Sequence, residues 1–295
     1  MQGIEINVYR DPRGVHFFNE WWKYHDKVKL TNIESVCPDF HVYDFETNPV
    51  PVITYANDAG VDGSRLEYLS FQKSIMTITG GFTYHDTTDY WDKKGAIDSY
   101  FVTKACLVIQ TNIHPGRRAI GYVSKPEIKS VSSHYASVVL TLDNPLGMWF
   151  TTKTSSLEDN WTPNLNYDLN VPTSFHHAPS WKISSGRHQI WIGGDEIMKF
   201  TTPMNDTTIT LNNVNGEFGI VDHTTGKSLI AHNQDGDLNG ETVCWNGLDL
   251  RDQNGEQANG MVDSTDFWLY PGFNDIEVVG ADSAYLDTRF YFKTP

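Results

Sequence analysis

A series of short alternating segments, separated by glycine turns, occupies the second half of the sequence. Apolar and polar residues alternate in HQIWIGG, TTITLNN, EFGIVD, SLIAHN and ETVCWNG. The connecting turns carry a glycine at Asn215-Gly216, Thr225-Gly226, Asp235-Gly236, Asn246-Gly247 and Asn254-Gly255. Strands with turn signals every 8 to 12 residues or so are typical of an antiparallel β-sandwich. We therefore expect positions 144–295 to form a second, separate sandwich domain.

The end of the sequence predicts how that sandwich is completed. In FWLYPGFNDIEVVG, a turn at Pro271-Gly272 precedes a segment in which apolar and polar residues alternate. In YLDTRFYF, positions 285–292, the alternation resumes. We expect a tight reversal between the two segments, so that the chain ends in a closing hairpin.

Positions 1–143 form the other predicted domain, which is mainly β with one helix. Strand patterns are separated by predicted turns at Asn48-Pro49 and Pro115-Gly116, and KSIMTITGGF predicts a strand that ends at Gly80-Gly81. In the segment HFFNEWWKYHDKVKL, the residues Phe17, Trp21, Tyr24 and Val28 fit helical spacing, and a strand remains the alternative. We place the boundary between the domains at 143–150, and we expect the polar stretch 151–180 to be an irregular arm.

The segment YHDTTDYWDKKGAIDSYFV is the best helix candidate in the sequence. Its aromatic and aliphatic residues gather on one side, with Asp and Lys on the other. Thr88 or Asp89 is the predicted N-cap, because short polar side chains satisfy the first free backbone N–H groups of a helix.

The charge balance excludes several classes of partner. The formal net charge is −15, whereas a nucleic-acid-binding protein needs clustered Lys and Arg to neutralise phosphates.

No apolar run approaches the roughly 18 residues of a membrane span. The N-terminus lacks the basic start and apolar core of a signal peptide, so we expect folding in a cytoplasm.

Candidate catalytic and metal-binding patterns are weak. Cys37, Cys106 and Cys244 are far apart and form no CxxC pair, which favours buried free thiols over a disulfide framework or a zinc site. The adjacent His176-His177 lacks the HExxH spacing that puts two ligands on one helix face. No nucleophile elbow or phosphate-binding glycine loop is present. We predict no enzymatic activity and no cofactor.

Two binding hypotheses stay open beside simpler explanations. Asp235 to Asn239 resembles the start of a calcium loop, but Asn246 replaces the closing Glu and turn chemistry alone explains the pattern. Trp245 and Trp268 lie in or beside predicted loops, where a tryptophan ring can stack on a sugar. Filling the sandwich core is the more common use of such residues.

With these residues in view, the chain resembles the distal tail proteins of long-tailed, non-contractile phages. TITGGF, ACLVIQTNIHPGRRAIGYV and SVVLTLDNPLGMWF resemble the N-terminal belt domain of that family. TITLNNVNGEFGIVDHTTGKSLI and DFWLYPGFNDIEVVG resemble its C-terminal sandwich. The closing pattern Leu-x-Pro-Gly-x-Asn-x-Ile is matched by Leu269, Pro271, Gly272, Asn274 and Ile276.

The resemblance implies a structural virion protein of the phage tail tip. Its belt domain assembles into a hexameric ring that carries a galectin-like sandwich. The ring joins the tail tube, built of major tail protein, and the tape measure protein to the baseplate, the tail-associated fibre protein and receptor-binding proteins. A ring of identical chains needs a head-to-tail interface, which unpaired strand edges can supply. The alternative is a carbohydrate-binding baseplate protein for host attachment.

Overall fold

The fold is mainly β and built from antiparallel sheets, as predicted. The computed structural model describes residues 4–14, 16, 21, 28–36, 39–56, 65–162, 168–172, 179–200, 206–233, 236–247, 249–264 and 266–295. The chain divides into two compact units: positions 1–150 with 293–295, and positions 151–292.

The first unit contains most of the long strands and the longest helix. Its elements are β1 (Ile6–Asp11), β2 (Thr31–Asn32), α1 (Ile33–Val36), β3 (His41–Ala56), β4 (Arg65–Thr83), α2 (Thr87–Phe101), β5 (Cys106–Thr111), β6 (Arg117–Ser132) and β7 (Tyr135–Asn144); β8 (Trp149–Thr151) begins in it. The strands follow the order β2-β1-β5-β6-β7-β4-β3. The short α1 adds to the single helix that the sequence predicts.

The core of this unit lies against β4 and β7. Met76 and Ile78 on β4, and Val138, Leu140 and Leu142 on β7, are completely buried. They occupy alternate positions because successive side chains of a strand point to opposite faces of the sheet. The segment KSIMTITGGF therefore forms a strand as predicted, and one face of that strand is buried.

Helix α2 forms where the sequence predicts it, but its N-cap is Asp86 instead of Thr88 or Asp89. The Asp86 carboxylate accepts a hydrogen bond from the Asp89 backbone N–H at 2.9 Å. In return, the Asp89 carboxylate accepts one from the His85 N–H at 2.8 Å. Side chains three residues apart thus satisfy free backbone donors at the helix start. Ile97 and Phe101 are the buried residues of the helix.

Two predicted strand breaks in this unit are wrong. β4 continues through Gly80 and Gly81 to Thr83. Both residues are glycines because neighbouring strands come too close for a side chain. A methyl at Gly80 would overlap the His41 carbonyl oxygen, and one at Gly81 would overlap the Tyr135 hydroxyl. β3 runs through Asn48-Pro49 without a turn. It lies at the end of the strand order, where a proline without an N–H is tolerated.

The described part of the second unit contains mostly shorter strands and a short helix. Its elements are α3 (Thr154–Asp159), β9 (Lys182–Ile192), β10 (Met198–Lys199), β11 (Thr208–Asn212), β12 (Glu217–Asp222), β13 (Lys227–His232), β14 (Val243–Asn246), β15 (Asp249–Arg251), a 3₁₀ turn (Asn259–Met261), β16 (Val262–Ser264), β17 (Trp268–Leu269), β18 (Gly272–Asp287) and β19 (Tyr291–Phe292). The main order is β15-β14-β11-β18-β12-β13-β16, with β9 also paired to β18. Helix α3 lies in the stretch predicted to be irregular.

The predicted closing hairpin is instead one continuous strand, β18. Positions 276–279 pair with β12, and positions 283–287 pair with β11, so the strand changes partner along its length. Its register with β9 shifts between Val278 and Ser283. Gly280, at φ 60°, lies in this irregular segment. A bulge there bends the strand where we expected a reversal.

Because β18 is shared in this way, the sheet folds over into two packed layers. β12 and β14 lie on opposite sides of β18 in the strand order. Nevertheless, the rings of Phe218 on β12 and Trp245 on β14 meet with centroids 5.8 Å apart. Both side chains are completely buried. Inward residues of two layers that meet face to face form the core of a β-sandwich.

Several sequence-based interpretations concern residues that the structure does not describe. Cys37, His176-His177 and Asp235 lie outside the described residues. The same is true of most of the aromatic segment between positions 17 and 27, apart from Trp21. The calcium hypothesis, which depends on Asp235, stays a prediction.

Candidate functional surfaces

The first candidate sugar-stacking residue, Trp245, lies inside the sandwich. It sits on β14 opposite Ile209 of β11, and its side chain is completely buried. The alternation along β14 that fills the core with Val243 and Trp245 leaves Cys244 and Asn246 on the other face. A sugar would reach the Trp245 ring only if the ring left the core.

The second candidate, Trp268, is half-buried on β17. The ammonium group of Lys227 lies over its ring, 4.1 Å from the centroid. The Asp266 carboxylate pairs with the same ammonium at 2.5 Å. Lys227 therefore covers one face of the ring, an arrangement typical of a cation–π contact. Sugar binding at Trp268 stays a prediction.

The residues of the Leu-x-Pro-Gly-x-Asn-x-Ile pattern build the turn that starts β18. Asn274 is completely buried. Its amide nitrogen donates to the carbonyl oxygens of Tyr270 at 2.7 Å and Gly272 at 3.1 Å. Its amide oxygen accepts the Tyr270 N–H at 3.0 Å. Leu269 and Ile276 enter the core on either side. The pattern is therefore structural in origin.

A long hairpin of β3 and β4 carries an unusual strand edge. Positions 74–83 of β4 pair with β7. In the described part of the chain, positions 65–73 pair with β3 alone. On the other strand of this hairpin, Ile53 is 45% exposed. Unpaired backbone N–H and C=O groups along such an edge are ready to pair with another strand.

Two open grooves lie on the protein surface, one in each unit. The first has a volume of about 720 Å³ and lies between α2 and β6, lined among others by Lys94, Ser99 and Glu127. The second has a volume of about 620 Å³ and crosses the outer face of β9, β11 and β18. Sequence reasoning missed both. Packing of α2 against β6 brings the lining of the first together, and strand register brings together that of the second.

A charged network lies on the outer face of β9, β18 and the turn after β12. The Arg187 guanidinium bonds both carboxylate oxygens of Asp275, with its Nε 2.7 and 2.8 Å away. This contact lowers the pKa of the Asp275 carboxyl below its ordinary value of 3.8. Beside it, His223 and Glu277 are 2.7 Å apart. The network links β9, β18 and the turn after β12, and leaves Asp275 ionised at neutral pH.

No three His, Cys, Asp or Glu side chains among the described residues are arranged to hold a metal ion. Cys106 is buried, and burial raises the pKa of its thiol to about 12. Within the described helices, none has the length and apolar character needed to cross a bilayer.

Comparison with known proteins finds likeness in structure only. No family model and no curated protein matches the sequence. The chain is similar in fold to SPP1 Dit, described as a paradigm of the hub adsorption apparatus in phages that infect Gram-positive bacteria. The TM-score is 0.62 and the identity 11%, over 97% of this chain and 99% of that one.

A weaker likeness is to a chain of the phage p2 baseplate in its activated conformation with strontium. There the TM-score is 0.36 and the identity 10%, over 98% of both chains.

Proposed function

We propose that this chain is a structural protein of a phage tail tip, which forms the hub ring between the tail tube and the baseplate. The observation that carries the proposal is the likeness in fold to SPP1 Dit over nearly the whole of both chains. At 11% identity the likeness concerns the fold.

In this proposal the ring is a hexamer. It connects the major tail protein and the tape measure protein on one side to the tail-fibre and receptor-binding proteins on the other. A ring of one kind of subunit needs two different, complementary surfaces on each chain. A strand edge that extends a neighbour's sheet meets this requirement, because the donating and accepting edges differ.

The edge of β4 at positions 65–73 is the surface best suited to this role. Its sequence, RLEYLSFQK, contains no proline, and it includes two residues that favour strands, Tyr68 and Phe71. The outer edge of β3, by contrast, carries Pro49 and Pro51, and proline blunts an edge because it lacks a backbone donor. We therefore assign the subunit contact to the β4 edge.

The charge of the chain fits a passage for nucleic acid. With a formal net charge of −15, a ring of several copies repels a phosphate backbone and lets a genome slide through without binding it. A strongly basic channel in a map of the ring would contradict this part of the proposal.

Shortening the hairpin tests the assignment. Val50 faces Lys73 across the hairpin, so positions 51–72 can be replaced by Asn-Gly, which joins strands through a two-residue turn. The pairings between β4 and β7 at positions 74–83 stay intact. We expect the wild-type protein to form particles of six times the 33.5 kDa chain mass. The shortened protein should remain monomeric.

The measurements are light scattering after size exclusion and negative-stain imaging. The variant Asn254→Ala, on an exposed loop of the other unit, serves as a control and should assemble like the wild type. Rings of unchanged size from the shortened protein would refute the role of the β4 edge. A wild-type protein that forms no rings, alone or with its tail partners, would refute the hub function itself.

A further inference from the structure

The groove on the sandwich face combines polar side chains with apolar surface and has the size of a small-ligand site. Its volume of about 620 Å³ falls in the range common for ligand pockets, ~300–1,000 Å³. Backbone and side-chain atoms from three neighbouring strands line it. The polar side chains are those of Lys182, Ser184, Thr210, Asn212, Ser283 and Tyr285.

Strand register places these side chains in two rows across the sheet. Tyr285 of β18 lies opposite Thr210 of β11 and Lys182 of β9. Two residues before Tyr285 on β18, Ser283 lies between Asn212 of β11 and Ser184 of β9. The residues between the rows, among them Ala284, point into the core. Each row thus presents adjacent polar groups about 5 Å apart on the outer face.

The second row is held in a fixed orientation. The Asn212 amide nitrogen donates to the Ser283 hydroxyl at 3.0 Å. The Thr242 hydroxyl donates to the Asn212 amide oxygen at 3.2 Å. An amide has two N–H donors and two acceptor lone pairs, and a hydroxyl both donates and accepts. Asn212 and Ser283 therefore keep the capacity for further hydrogen bonds.

The first row combines an aromatic ring with a balanced charge. The Lys182 ammonium lies over the Tyr285 ring, 5.6 Å from its centroid. The Glu158 carboxylate is 3.6 Å from the same ammonium. Lys182 is the charged residue among those that line the groove, and Glu158 offsets its charge. The site therefore offers an aromatic surface, hydroxyls and an amide, without an excess of positive charge.

We propose that this groove binds a neutral saccharide. Asn212, Ser283 and Ser184 hydrogen-bond the sugar hydroxyls. The exposed Lys182 side chain moves off the Tyr285 ring, which then packs against the apolar C–H face of the sugar ring. An anionic ligand fits less well, because the chain carries a net charge of −15 and Lys182 is already paired. This site is separate from Trp245 and Trp268.

The proposal goes beyond the hub function and does not depend on it. All the lining residues belong to the second unit, whereas ring formation is assigned to the edge of β4 in the first. The shortened-hairpin variant should therefore lose its rings and still bind sugar. Failure of one proposal is distinguishable from failure of the other.

Saturation-transfer NMR on the full chain is the test. The probes are the methyl glycosides of glucose, galactose, N-acetylglucosamine and rhamnose, with glycerol 3-phosphate as the anionic probe. The variant Ser184→Arg fills the groove from an exposed position. Ser99→Arg makes the same change in the groove beside α2 and serves as the matched control. Thermal unfolding checks that both variants are folded.

We expect at least one glycoside to receive saturation from the wild type and from Ser99→Arg, and none from Ser184→Arg. Asn212→Ala should weaken binding roughly three- to tenfold, the usual effect of losing one hydrogen bond. The proposal is overturned if no glycoside binds the wild type, if only glycerol 3-phosphate binds, or if Ser184→Arg leaves glycoside binding unchanged.

Discussion

Asn274 and Tyr270 exchange two hydrogen bonds across the turn that starts β18. The Asn274 amide donates to the Tyr270 carbonyl at 2.7 Å and accepts from the Tyr270 N–H at 3.0 Å. Since Asn274 is completely buried, the side chain takes the place that water would fill around this turn. The turn holds β18 in register, and β18 pairs with β9, β11 and β12.

Replacing Asn274 with alanine should therefore destabilise the sandwich. Three hydrogen bonds disappear and buried backbone groups lose their partner, which costs roughly 2–4 kcal/mol when added from typical values. Thermal unfolding of the full chain should show a lower midpoint for the sandwich unit. Asn254→Ala, on an exposed loop, should change stability by less than about 0.5 kcal/mol. Equal effects of the two substitutions would contradict this role of Asn274.

Alanine substitutions at two glycines, Gly280 and Gly216, can distinguish the cost of backbone strain from the cost of steric overlap. Gly280 and Gly216 have nearly the same φ, 60° and 61°. A methyl at Gly280 would overlap the Glu217 carbonyl oxygen, whereas one at Gly216 meets no atom within 4 Å. Gly216→Ala should cost about 1 kcal/mol, from the left-handed backbone alone.

Gly280→Ala should cost at least about 2 kcal/mol more, because the bulge in β18 must shift. Denaturation of the two variants side by side measures the difference. Equal losses would mean that the bulge moves without cost, and that the bend of β18 does not depend on a glycine.

The sequence predicts the elements of this fold better than the places where they bend. The segment KSIMTITGGF predicts β4, although not where it ends, and short polar residues indicate the start of α2, although the capping residue is Asp86. At Gly80-Gly81 and Gly280, however, a glycine satisfies a close contact with a distant strand or a bulge. Nothing local distinguishes such a glycine from a turn.

The candidate binding residues were likewise predictable from the sequence only in part. A tryptophan near a predicted loop suits either a core or a sugar-stacking surface, and in the structure the Trp245 ring is completely buried. The sandwich groove could not be predicted from the sequence, because its lining residues Lys182, Thr210 and Tyr285 are far apart in sequence. Only the pairing of β9 and β11 with β18 brings them together.

The Arg187–Asp275 pair should affect stability in acid. Arg187 lowers the pKa of Asp275 below 3.8 in the folded protein. A group with a lowered folded pKa stabilises the fold above its unfolded pKa, and this contribution is lost as the pH falls through the folded value. The Arg187→Gln variant should therefore melt below the wild type at pH 7.

As the pH falls below 3.8, the difference in melting temperature between wild type and Arg187→Gln should shrink. It should also shrink in 1 M salt, because the pair is exposed and screened. Melting curves from pH 7 to pH 2.5 measure both effects. A difference that is independent of pH would show that Arg187 acts through packing.

Cys106 should resist alkylation in the folded protein. Burial raises the pKa of its thiol to about 12, so about one molecule in ten thousand carries the reactive thiolate at pH 8. Iodoacetamide followed by peptide mass analysis should find Cys106 unmodified until denaturant is added. The half-buried Cys244 provides an internal comparison and should react first. Rapid labelling of native Cys106 would mean that β5 opens readily.

Substitution by alanine should destabilise the fold more at Trp245 than at Trp268. Trp245→Ala removes a completely buried ring that packs on Phe218, and such a loss costs about 3–5 kcal/mol. Trp268→Ala removes a half-buried ring. Its contact with Lys227 contributes about 0.5–1 kcal/mol to stability, the usual value of a cation–π pair near the surface. Thermal unfolding should rank the two variants in this order.

Glycoside binding should survive in Trp268→Ala, because the groove on β9, β11 and β18 does not include this residue. Saturation-transfer spectra with the same glycosides decide the matter. If Trp268→Ala abolishes the signal while Ser184→Arg preserves it, the sugar site lies on β17 and Lys227 must move off the Trp268 ring to admit a ligand. If the reverse pattern appears, the ring of Trp268 serves the fold and the polar rows of the sandwich face serve the ligand.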